Sequence, residues 1–597
     1  MNPTDHAVEF VNELIASSDA EPHLLLQHLI RIQQEFSCIP ATASATLSQH
    51  LDTPLAVVNG VIDFYTFLHT SPRGEYDILF SDNITDRMAG SQLLIKQLCN
   101  RLGVEPGAGA GTGNTSVDAT SCTGMCDQGP GMLINGMTIT QLDEQRIEQI
   151  AELVEQNRPV DEWPQDFFAV SENIRRTDLL LNARIQAGEA LNSMLASGSC
   201  KTLESIDAAG LRGRGGAGFK TALKWSLCQN TQADERYVVC NADEGEPGTF
   251  KDRVLLQSRA EELLEGMTLC AGIIGARKGF IYLRGEYLYL LDHLNSIIEA
   301  RRANGLLGKS ITGQSNFDFE VEIHLGAGAY ICGEESSLIE SLEGKRGIPR
   351  IRPPFPVMQG YLGKPTVVNN VETFIAAAQI TVHGSDWFRT RGTTESSGTK
   401  LLSISGDCRL PGIYEYPFGV TIREILKDCG ADNTQAVQVA GAAGHMIPVD
   451  EFDRSIAYED IATGGSFMVF NRERDLLAVT QNFSRFFVHE SCGFCTPCRV
   501  GGALLDKLVY KLQRGRASRY DLEEMRTIAT LMRDTSHCGL GTTAPNPVLD
   551  LLDKFPYTYE NRLIDDYGPA FDLEAATKDA REISGRHDNG IITERQP

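Results

Sequence analysis

The sequence predicts a multidomain α/β protein, and three observations support this prediction. From residue 201 onward, helical and strand-like patterns alternate, which is typical of a largely parallel sheet with helical crossovers. A glycine-rich stretch, LRGRGGAGFKTALKW at residues 211–225, leads into one of the predicted helices. Three cysteines at two-residue spacing, in SCGFCTPCR at residues 491–499, indicate a metal centre in a helical C-terminal region.

The composition sets broad limits on function. The chain has 597 residues, of which 42% are hydrophobic and 22% charged, as is usual for a globular protein. This length is typical of about four domains. The formal net charge of −25 argues against nucleic acid or an anionic membrane surface as a partner.

Targeting signals and cysteine usage indicate a soluble cytoplasmic protein. The N-terminus, MNPTDHAVEF, lacks the basic and apolar regions of a signal peptide, and no apolar run approaches the ~20 residues needed to cross a bilayer. The 15 cysteines are an odd number, and most lie singly in apolar segments. This pattern favours a reducing compartment over a disulfide framework.

The N-terminal region is predicted to be helical over residues 7–69, followed by a strand at Tyr76–Phe80 and a helix around Gln92–Leu102. A loose Gly-rich loop then leads to SCTGMCDQGPGMLING, which contains Cys122 and Cys126. This order resembles the thioredoxin-like 2Fe-2S subunit of respiratory complex I.

A 2Fe-2S cluster in this region needs four thiolates, and only the second pair of that family is present. Ser81 and Asp86 stand near the positions expected for the first pair, in FSDNITDRMAG. Cys99, inside a predicted helix, and Cys38, in the early bundle, lack convincing ligand spacing. We therefore expect this 2Fe-2S cluster to be lost.

The glycine-rich stretch combines four glycines with nearby positive charge from Arg214 and Lys224. Glycine permits close backbone approach, and unpaired amides at a helix start can bind an anion, so a nucleotide or flavin phosphate is one interpretation. A flexible turn before an ordinary helix, expected at Phe219, is the other. The pattern is neither a dinucleotide G-x-G-x-x-G after a strand nor a Walker loop, and it leaves the ligand open.

Polar clusters follow the ends of predicted strands, where ligands collect in parallel α/β sheets. Each cluster taken singly could consist of caps and turns, but three in one sheet favour a binding site. Their residues are Asn241, Asp243, Glu244 and Glu246; Gly333, Glu334 and Glu335; and Phe355, Asn369, Asn370 and Thr373.

Residues 400–475 are β-rich and show no catalytic constellation, so we expect a packing or docking role.

The C-terminal region contains four cysteines that could bind a metal cluster. Three of them, Cys492, Cys495 and Cys498, lie on one loop, and Cys538 follows downstream in TSHCGLG. This spacing favours a 4Fe-4S cluster over structural zinc.

Taken in order, GRGGAGF, NADEGEPGTFKDR, GAGAYICGEE, KPTVVNNVET and SCGFCTPCR resemble the motifs of the NADH-binding flavoprotein subunit of complex I and its relatives, over residues 200–565. The degenerate 2Fe-2S-like domain fused in front is similar to that of the diaphorase flavoproteins of NAD-reducing, bidirectional nickel–iron hydrogenases.

The resemblance implies a set of site residues. For FMN it implies Gly213, Arg214, Gly215, Gly216, Lys224, Asn241, Asp243, Glu244, Gly333, Glu334, Glu335, Asn369, Asn370 and Thr373. For NADH it implies Phe219, Lys224, Glu246, Tyr330, Glu335, Arg352 and Phe355. Two positions depart from the family pattern, because Leu227 stands where an aromatic residue often contacts adenine and Arg352 stands where a lysine is common.

The resemblance also implies a function. Hydride would be exchanged between NAD(H) and FMN, and single electrons would pass through a 4Fe-4S cluster on Cys492, Cys495, Cys498 and Cys538. The implied partners are an iron–sulfur diaphorase subunit and nickel–iron hydrogenase subunits, with no nucleic acid or membrane. Acidic side chains near the site predict a preference for NAD over NADP.

Two alternatives stay open at this point. One is the flavoprotein subunit of an NAD-dependent formate dehydrogenase or of complex I, which would share the half-reaction. The other is a non-catalytic scaffold that has lost its flavin, against which the intact glycine loop and cysteine spacing argue.

The sequence and the resemblance together predict six regions. They are a helical bundle plus thioredoxin-like domain at 1–160, a linker at 161–200, a Rossmann-like FMN- and NADH-binding α/β domain at 201–395, a small α+β, ubiquitin-like (β-grasp-like) module at 396–475, a helical 4Fe-4S domain at 476–565, and a C-terminal tail at 566–597.

Overall fold

The computed structural model describes residues 3–18, 20–110, 113–564 and 573–585. The predicted tail at 566–597 lies outside these residues apart from one helix, α25. None of the helices in the described ranges combines the length and the apolarity that a bilayer crossing requires.

Four helices form the N-terminal bundle, as the apolar spacing predicts. In α2, Leu25, Leu29 and Ile32 are fully buried and recur at three- and four-residue intervals, so one face of the helix packs into the core. The bundle helices are α1 (Pro3–Ala16), α2 (Leu25–Phe36), α3 (Ala41–His50) and α4 (Leu55–Ile62).

The first sheet has four strands in the order β2-β1-β3-β4, with β1 parallel to β2 and antiparallel to β3. The predicted strand after residue 75 and the predicted helix near residue 92 are both confirmed. The elements are β1 (Tyr76–Ser81), α5 (Ile84–Met88), α6 (Ser91–Leu102), β2 (Thr115–Thr120), β3 (Met132–Ile134), β4 (Met137–Ile139) and α7 (Glu144–Glu155).

Residues 161–200, predicted as a linker, are instead ordered and partly buried. Strand β5 (Ile174–Arg176) joins the sheet of the later β-rich segment, and the leucines of α8 (Leu179–Asn182) are buried. The carboxylate of Glu415 accepts hydrogen bonds from the backbone N–H groups of Asp178 and Leu181 at 2.8 and 2.9 Å. Local sequence patterns cannot foresee an anchor supplied more than 200 residues away.

The central sheet has four parallel strands in the order β8-β7-β6-β9, as the alternating pattern predicts. Helices cover it, and almost every residue of α13 is buried between the sheet and its neighbours. The elements are α9 (Glu189–Ser197), α10 (Ser199–Ala208), α11 (Thr221–Asn230), β6 (Tyr237–Ala242), α12 (Lys251–Ser258), α13 (Ala260–Ile274), β7 (Lys278–Leu283), α14 (Leu291–Ala303), β8 (Glu320–Leu325), α15 (Glu335–Leu342), α16 (Pro356–Gln359), β9 (Thr366–Asn370), α17 (Val371–His383) and α18 (Ser385–Arg389).

The β-rich segment forms a six-stranded mixed sheet in the order β13-β12-β14-β10-β11-β5. A capping box, with Thr421 and Glu424 each accepting from the other's backbone N–H, fixes the start of its helix. The elements are β10 (Thr399–Gly406), β11 (Gly412–Pro417), α19 (Ile422–Asp428), β12 (Thr434–Val439), β13 (His445–Pro448) and β14 (Ser466–Asn471).

The C-terminal region is helical, as predicted. Its cysteine loop lies between α20 and α21, so both helices hold that loop in place. The helices are α20 (Leu476–Glu490), α21 (Thr496–Gln513), α22 (Arg519–Thr535), α23 (Gly539–Thr543), α24 (Asn546–Lys554) and α25 (Leu573–Ser584).

A buried ion pair offers a test of how the central domain is held together. Arg301 Nη2 lies 2.7 Å from Glu265 Oε2, and both side chains are 1% exposed. The same carboxylate accepts from the N–H groups of Gly188 and Leu191 before and within α9. Because Arg301→Met leaves that carboxylate buried without its cation, we expect a loss of about 3–5 kcal/mol in the free energy of unfolding, measured by urea denaturation.

The neighbouring Arg302 provides the matched control. The side chains of its partners Glu299 and Glu320 are 70% and 46% exposed, so Arg302→Met should cost at most about 1 kcal/mol. Equal losses in the two variants would contradict the assigned role of the buried pair.

Candidate functional site

A cavity of about 490 Å³ lies at the carboxyl ends of the central strands, where a parallel sheet is expected to place its ligand. The glycine-rich loop, the loop after β6, the turn before α15 and the start of α17 all reach it. The predicted residues that line it are Gly215, Gly216, Asn241, Asp243, Glu244, Glu246, Tyr330, Gly333, Glu334 and Asn370.

The glycine-rich loop is closed on itself by a hydrogen bond from Gly213 N–H to the Phe219 carbonyl at 2.8 Å. Gly216 has a φ of +123°, a backbone conformation that a side chain would strain. At Gly215 an added Cβ would lie 3.3 Å from Asn370 Cβ. The loop therefore needs glycine where it borders the cavity, and α11 begins at Thr221, two residues later than the sequence predicts.

Arg214 lies beneath this loop and does not line the cavity. Its Nη2 donates to the Ser397 carbonyl at 2.9 Å, and its guanidinium lies 4.7 Å from the centroid of the Phe418 ring. Its backbone N–H donates to Thr373 Oγ1 at 2.9 Å. Arg214 and Thr373 thus fix the loop from below, whereas the sequence suggests that Arg214 adds charge at the ligand.

Lys224 and Glu335 form an ion pair beside the cavity, outside its lining. Lys224 Nζ lies 2.9 Å from Glu335 Oε2 and 3.1 Å from the Val368 carbonyl oxygen. The next residue, Trp225, donates from Nε1 to Asn369 Oδ1 at 2.8 Å, which orients that amide inside the core.

The other predicted nucleotide contacts lie nearer the surface. Arg352 Nη1 is 3.0 Å from Glu334 Oε1 and 3.7 Å from Glu335 Oε1. Phe219 and Phe355 do not line the cavity and are 48% and 50% exposed. Leu227 is also exposed and outside the lining. The structure therefore separates a buried polar cavity from an exposed apolar rim.

The end of β6 and the loop that follows it place two polar side chains at the cavity wall. Asn241 Nδ2 donates to the Gly333 carbonyl at 2.8 Å, which joins the ends of two strand–loop segments. Asp243 Oδ2 is buried and has no hydrogen-bond partner among the described residues. Burial raises the pKa of Asp243 well above its usual range. This carboxyl oxygen is free to meet a ligand.

Glu244 lines the cavity, but its carboxylate is directed at a helix. It accepts from the backbone N–H groups of Asp252 and Arg253, at 2.8 and 3.1 Å, and from the Tyr287 hydroxyl at 3.0 Å. These bonds satisfy amides at the start of α12. Burial, with the Asp252 carboxylate adding repulsion, raises the pKa of Glu244 to about 7.

Glu246 connects the cavity to the six-stranded sheet. The Tyr330 hydroxyl donates to Glu246 Oε2 at 2.5 Å, and the Ala443 N–H donates to Oε1 at 3.1 Å. Burial raises the pKa of Glu246 to about 7, and the bond from Tyr330 opposes that rise. The carboxyl group therefore titrates near neutral pH.

Sequence reasoning missed a buried charge network at the cavity floor. Lys251 Nζ lies 2.6 Å from Asp252 Oδ1, 3.2 Å from Glu372 Oε2 and 3.2 Å from Asn370 Oδ1. Although burial disfavours its charge, these carboxylates raise the pKa of Lys251. Lys251 stands in the quoted motif NADEGEPGTFKDR, so its position in that motif was the available signal.

The β-rich segment also contributes a wall, beyond the packing or docking role predicted for it. An added Cβ at Gly464 would lie 3.3 Å from the Gly215 carbonyl oxygen, so the two glycine segments touch. No periodic pattern marks such a wall in the sequence. The lining residues from this segment are Ala440, Ala443, Ala462, Thr463, Gly464 and Ser466.

All four predicted ligand cysteines line a second, small cavity. Cys492, Cys495 and Cys498 come from the loop before α21 and its first turn, and Cys538 precedes α23. Among the residues that the structure describes, no three His, Cys, Asp or Glu side chains converge closely enough to hold a single metal ion. A 4Fe-4S cube needs its cysteines further apart than a single ion does, because each thiolate binds a different iron.

The two cavities share a wall. Ile331 and Leu540 line both of them, so these two side chains separate the polar cavity from the cysteine cavity. Residues Gly539 and Thr543, which follow Cys538 in α23, also reach the polar cavity. A ligand in one cavity would thus lie one side-chain layer from a ligand in the other.

The two cysteines near the end of the first sheet are arranged differently from the four in the small cavity. Cys122 and Cys126 are buried with their sulfurs 3.6 Å apart, and Asn83 Nδ2 lies 2.9 Å from Cys126 Sγ. Asp86 accepts from Ser81 Oγ at 2.7 Å and from the Gly131 N–H at 2.9 Å. Protein groups therefore occupy the hydrogen-bonding positions around the two sulfurs. Cys38 and Cys99 are buried singly, in other parts of the N-terminal region.

Three regions of the chain match known protein families. Residues 206–379 match the Nuo51 FMN-binding domain, residues 11–155 match the thioredoxin-like [2Fe-2S] ferredoxin family, and residues 478–562 match the NADH-ubiquinone oxidoreductase-F iron–sulfur binding region. The protein is therefore a mixed α/β multidomain chain with a thioredoxin-like domain, an FMN-binding domain and a C-terminal iron–sulfur region.

Similar proteins match over most of the chain. The NAD-reducing hydrogenase HoxS subunit alpha of Cupriavidus necator is 42% identical over 583 residues, covering 94% of this chain and 97% of that protein. An NADH-quinone oxidoreductase subunit from Aquifex aeolicus is 41% identical but covers 62% of this chain and 88% of its own length.

A chain in the crystal structure of an NAD+-reducing [NiFe]-hydrogenase in the H2-reduced state superimposes with a TM-score of 0.87 at 43% identity, covering 95% of this chain and 98% of that one. The hydrogenase matches thus extend over about a third more of the chain than the NADH-quinone oxidoreductase match does. The resemblance drawn from the sequence motifs is confirmed, and the chain belongs to the family of NAD-reducing hydrogenase alpha subunits.

Proposed function

We propose that this chain exchanges hydride between NAD(H) and FMN in the polar cavity and transfers single electrons through a 4Fe-4S cluster in the cysteine cavity. The observation that carries the proposal is the wall of Ile331 and Leu540 shared by the two cavities. When bound, FMN supplies the ability to take up two electrons as a hydride and to release them one at a time.

The cavity residues fit FMN. A volume of about 490 Å³ lies within the range of small-molecule sites, roughly 300–1,000 Å³. Asp243 Oδ2 and Thr249 Oγ1 are buried polar atoms without partners among the described residues, and both residues line the cavity. Such atoms are costly unless a ligand satisfies them. Gly215 and Gly216 leave room for a flat ring against the backbone.

We assign the individual residues by position. Gly215, Gly216, Asn241, Asp243, Gly333, Glu334 and Asn370 would contact FMN directly, because they line the cavity. Gly213, Arg214, Glu244, Asn369 and Thr373 would hold that wall in place through the hydrogen bonds described above. Lys251 also lines the cavity, although the sequence did not predict it as a site residue, and it would add positive charge near a flavin phosphate.

The nucleotide would enter over the exposed rim. Phe219 and Phe355 offer apolar faces there, while Lys224, Glu335 and Arg352 form a paired charge cluster behind them. Glu246 and Tyr330 would contact the nucleotide inside the cavity. The acidic side chains at this entrance would repel the additional phosphate of NADP, so we propose a preference for NAD.

The four cysteines fit a 4Fe-4S cluster. They line one small cavity, and each comes from a loop or the first turn of a helix, where its thiolate can bind a separate iron. Cys498 and Cys538 are buried, and Cys492 and Cys495 are half-buried. These residues hold the cluster site beside the polar cavity and toward the surface carrying Phe494, which is 54% exposed.

Partner subunits would receive or supply the electrons. Coverage of 94% of this chain by the hydrogenase relative, against 62% by the NADH-quinone oxidoreductase relative, favours a hetero-oligomer with an iron–sulfur diaphorase subunit and nickel–iron hydrogenase subunits. We propose a cytoplasmic location for this assembly. The direction of electron flow would then follow the potentials of NAD(H) and of the partner.

The family matches support a proposed domain organisation. We propose a bundle and thioredoxin-like domain without a 2Fe-2S cluster at 1–160, a Rossmann-like FMN- and NADH-binding domain at 201–395, a β-grasp-like module at 396–475 and a 4Fe-4S domain at 476–565. Residues 161–200 would join neighbouring domains through β5 and α8, and residues 566–597 would form a tail.

The cofactor content can be measured directly. We expect the visible absorption spectrum of the anaerobically purified chain to show flavin bands with a broad iron–sulfur shoulder. Iron analysis should give about four irons per chain, because one 4Fe-4S cube contains four. Cys495→Ser should lower the iron content and keep the flavin, whereas Cys200→Ser, which alters an exposed cysteine, should change neither. A colourless preparation would contradict the proposal.

Lys224 provides a kinetic test. Removing a hydrogen bond to a charged group costs about 1.5–3 kcal/mol, so Lys224→Ala should lower kcat/KM for NADH by about tenfold or more in a dye-reduction assay. The nearby Lys220→Ala is the control, since Lys220 is exposed and has no ion pair among the described residues. Full activity in Lys224→Ala would argue against the assigned pocket.

Glu246 predicts a pH dependence. Its carboxyl group, with a pKa raised to about 7 by burial, is charged above pH 7 and neutral below. Because the Tyr330 hydroxyl lowers that pKa, Tyr330→Phe should move the inflection of kcat/KM for NADH to higher pH, and Glu246→Gln should abolish it. Tyr510→Phe, at an exposed position, should leave the profile unchanged. An unshifted profile in Tyr330→Phe would contradict this assignment.

A further inference from the structure

The thioredoxin-like domain contains two thiols at a site where the matched family name implies a [2Fe-2S] cluster. The residues present do not fit that cluster, which requires four protein ligands. Ser81 and Asp86 hydrogen-bond each other at 2.7 Å, and Asn83 donates toward the sulfurs of Cys122 and Cys126. Each of the two thiols therefore has the other as its thiol neighbour, at a sulfur–sulfur distance of 3.6 Å.

We propose that Cys122 and Cys126 form a redox-active dithiol that closes reversibly to a disulfide under hydrogen peroxide. Their sulfurs lie 3.6 Å apart, and a disulfide of about 2.05 Å needs them to approach by roughly 1.5 Å. Residues 121–131 form neither helix nor strand, so closure would break no helical or sheet hydrogen bonds within this loop. The proposal needs none of the flavin chemistry proposed above.

The environment favours one thiol as the nucleophile. The hydrogen bond from Cys126, together with the positive charge of Arg284, lowers the pKa of Cys122, and the same hydrogen bond raises the pKa of Cys126. The Gly124 N–H also lies 3.4 Å from Cys122 Sγ. Cys122 is thus the attacking group and Cys126 the resolving group.

The chemical step balances with one hydroperoxide. The Cys122 thiolate attacks one oxygen of hydrogen peroxide, forming a sulfenic acid and releasing hydroxide. Cys126 sulfur then attacks the sulfenic sulfur, which forms the S–S bond and releases the second oxygen as water after proton transfer. Overall, two thiols and one peroxide give one disulfide and two waters. Because both thiols are buried, a water-sized oxidant is favoured over larger disulfide reagents.

The dithiol loop is bonded directly to the wall of the polar cavity. Arg284 Nη2 donates to the Cys122 carbonyl at 2.6 Å, and Arg284 Nη1 donates to the Glu244 carbonyl. Next to Cys126, Asp127 lies 3.0 Å from Arg253, the third residue of α12. Closure of the disulfide therefore pulls on a loop that is fixed at both ends to cavity-forming elements.

Peptide mapping of the full chain tests the proposal. The pre-reduced protein is treated with hydrogen peroxide, unfolded in N-ethylmaleimide and digested with trypsin. Cleavage after Arg101 and Arg146 yields a fragment whose only cysteines are Cys122 and Cys126. We expect this fragment to lose both maleimide labels and two hydrogens, and dithiothreitol to restore both labels.

Cys228 provides an internal control in the same digest, because it is buried, unpaired and has its pKa raised to about 12 by burial. It should keep its label at peroxide doses that close the pair. Cys126→Ser should block closure, leaving Cys122 labelled or carrying oxygen.

The proposal is overturned if wild-type Cys122 and Cys126 both stay labelled at doses that convert Met125 in the same fragment to its sulfoxide, or if either cysteine is linked to a different fragment. The wild-type measurement decides the matter even if Cys126→Ser fails to fold.

Discussion

The buried charge network around Lys251 is the interaction on which the site depends. The network links three almost completely buried side chains through consecutive ion pairs: Lys251 on α12, Glu372 on α17 and Lys400 on β10. Charges in such surroundings are stable only when each has its partner in place. Since Lys400 belongs to the six-stranded sheet and Glu372 to the central domain, the network locks the two together and thereby fixes opposite walls of the polar cavity.

Local sequence patterns foresaw the parts of the site that are contiguous in the chain. The glycine loop, the polar residues after β6 and the cysteine loop each have a spacing with a local physical cause, such as a required positive φ at Gly216. Nothing local marks the wall at Thr463 and Gly464, because it depends on two sheets meeting. The placement of Arg214 is a related case, since its guanidinium is drawn below the loop by aromatic rings far away in sequence.

The N-terminal domain has the match to the thioredoxin-like [2Fe-2S] ferredoxin family but only two of the four thiolates that such a cluster needs. Ser81 and the Gly131 N–H donate to Asp86, and Asn83 donates to Cys126, so the side chains at these positions have partners within the protein. Burial raises the pKa of Asp86 to about 8, so this carboxyl group is mostly neutral at pH 7 and needs no counter-ion. The domain is held to the rest of the chain by Arg284 and by Glu490, which binds Ser121 and the Tyr330 N–H.

Ile331 and Leu540 form the partition between the two cavities, and this partition limits where the polar cavity can open to exchange a ligand. If the polar cavity widened on that side, Ile331 and Leu540 would no longer separate it from the four cysteines. Phe219 and Phe355 line neither cavity and are 48% and 50% exposed, so a bulky ligand that passes them can be exchanged without disturbing this partition. The partition can therefore stay in place while ligands enter and leave past these two exposed side chains.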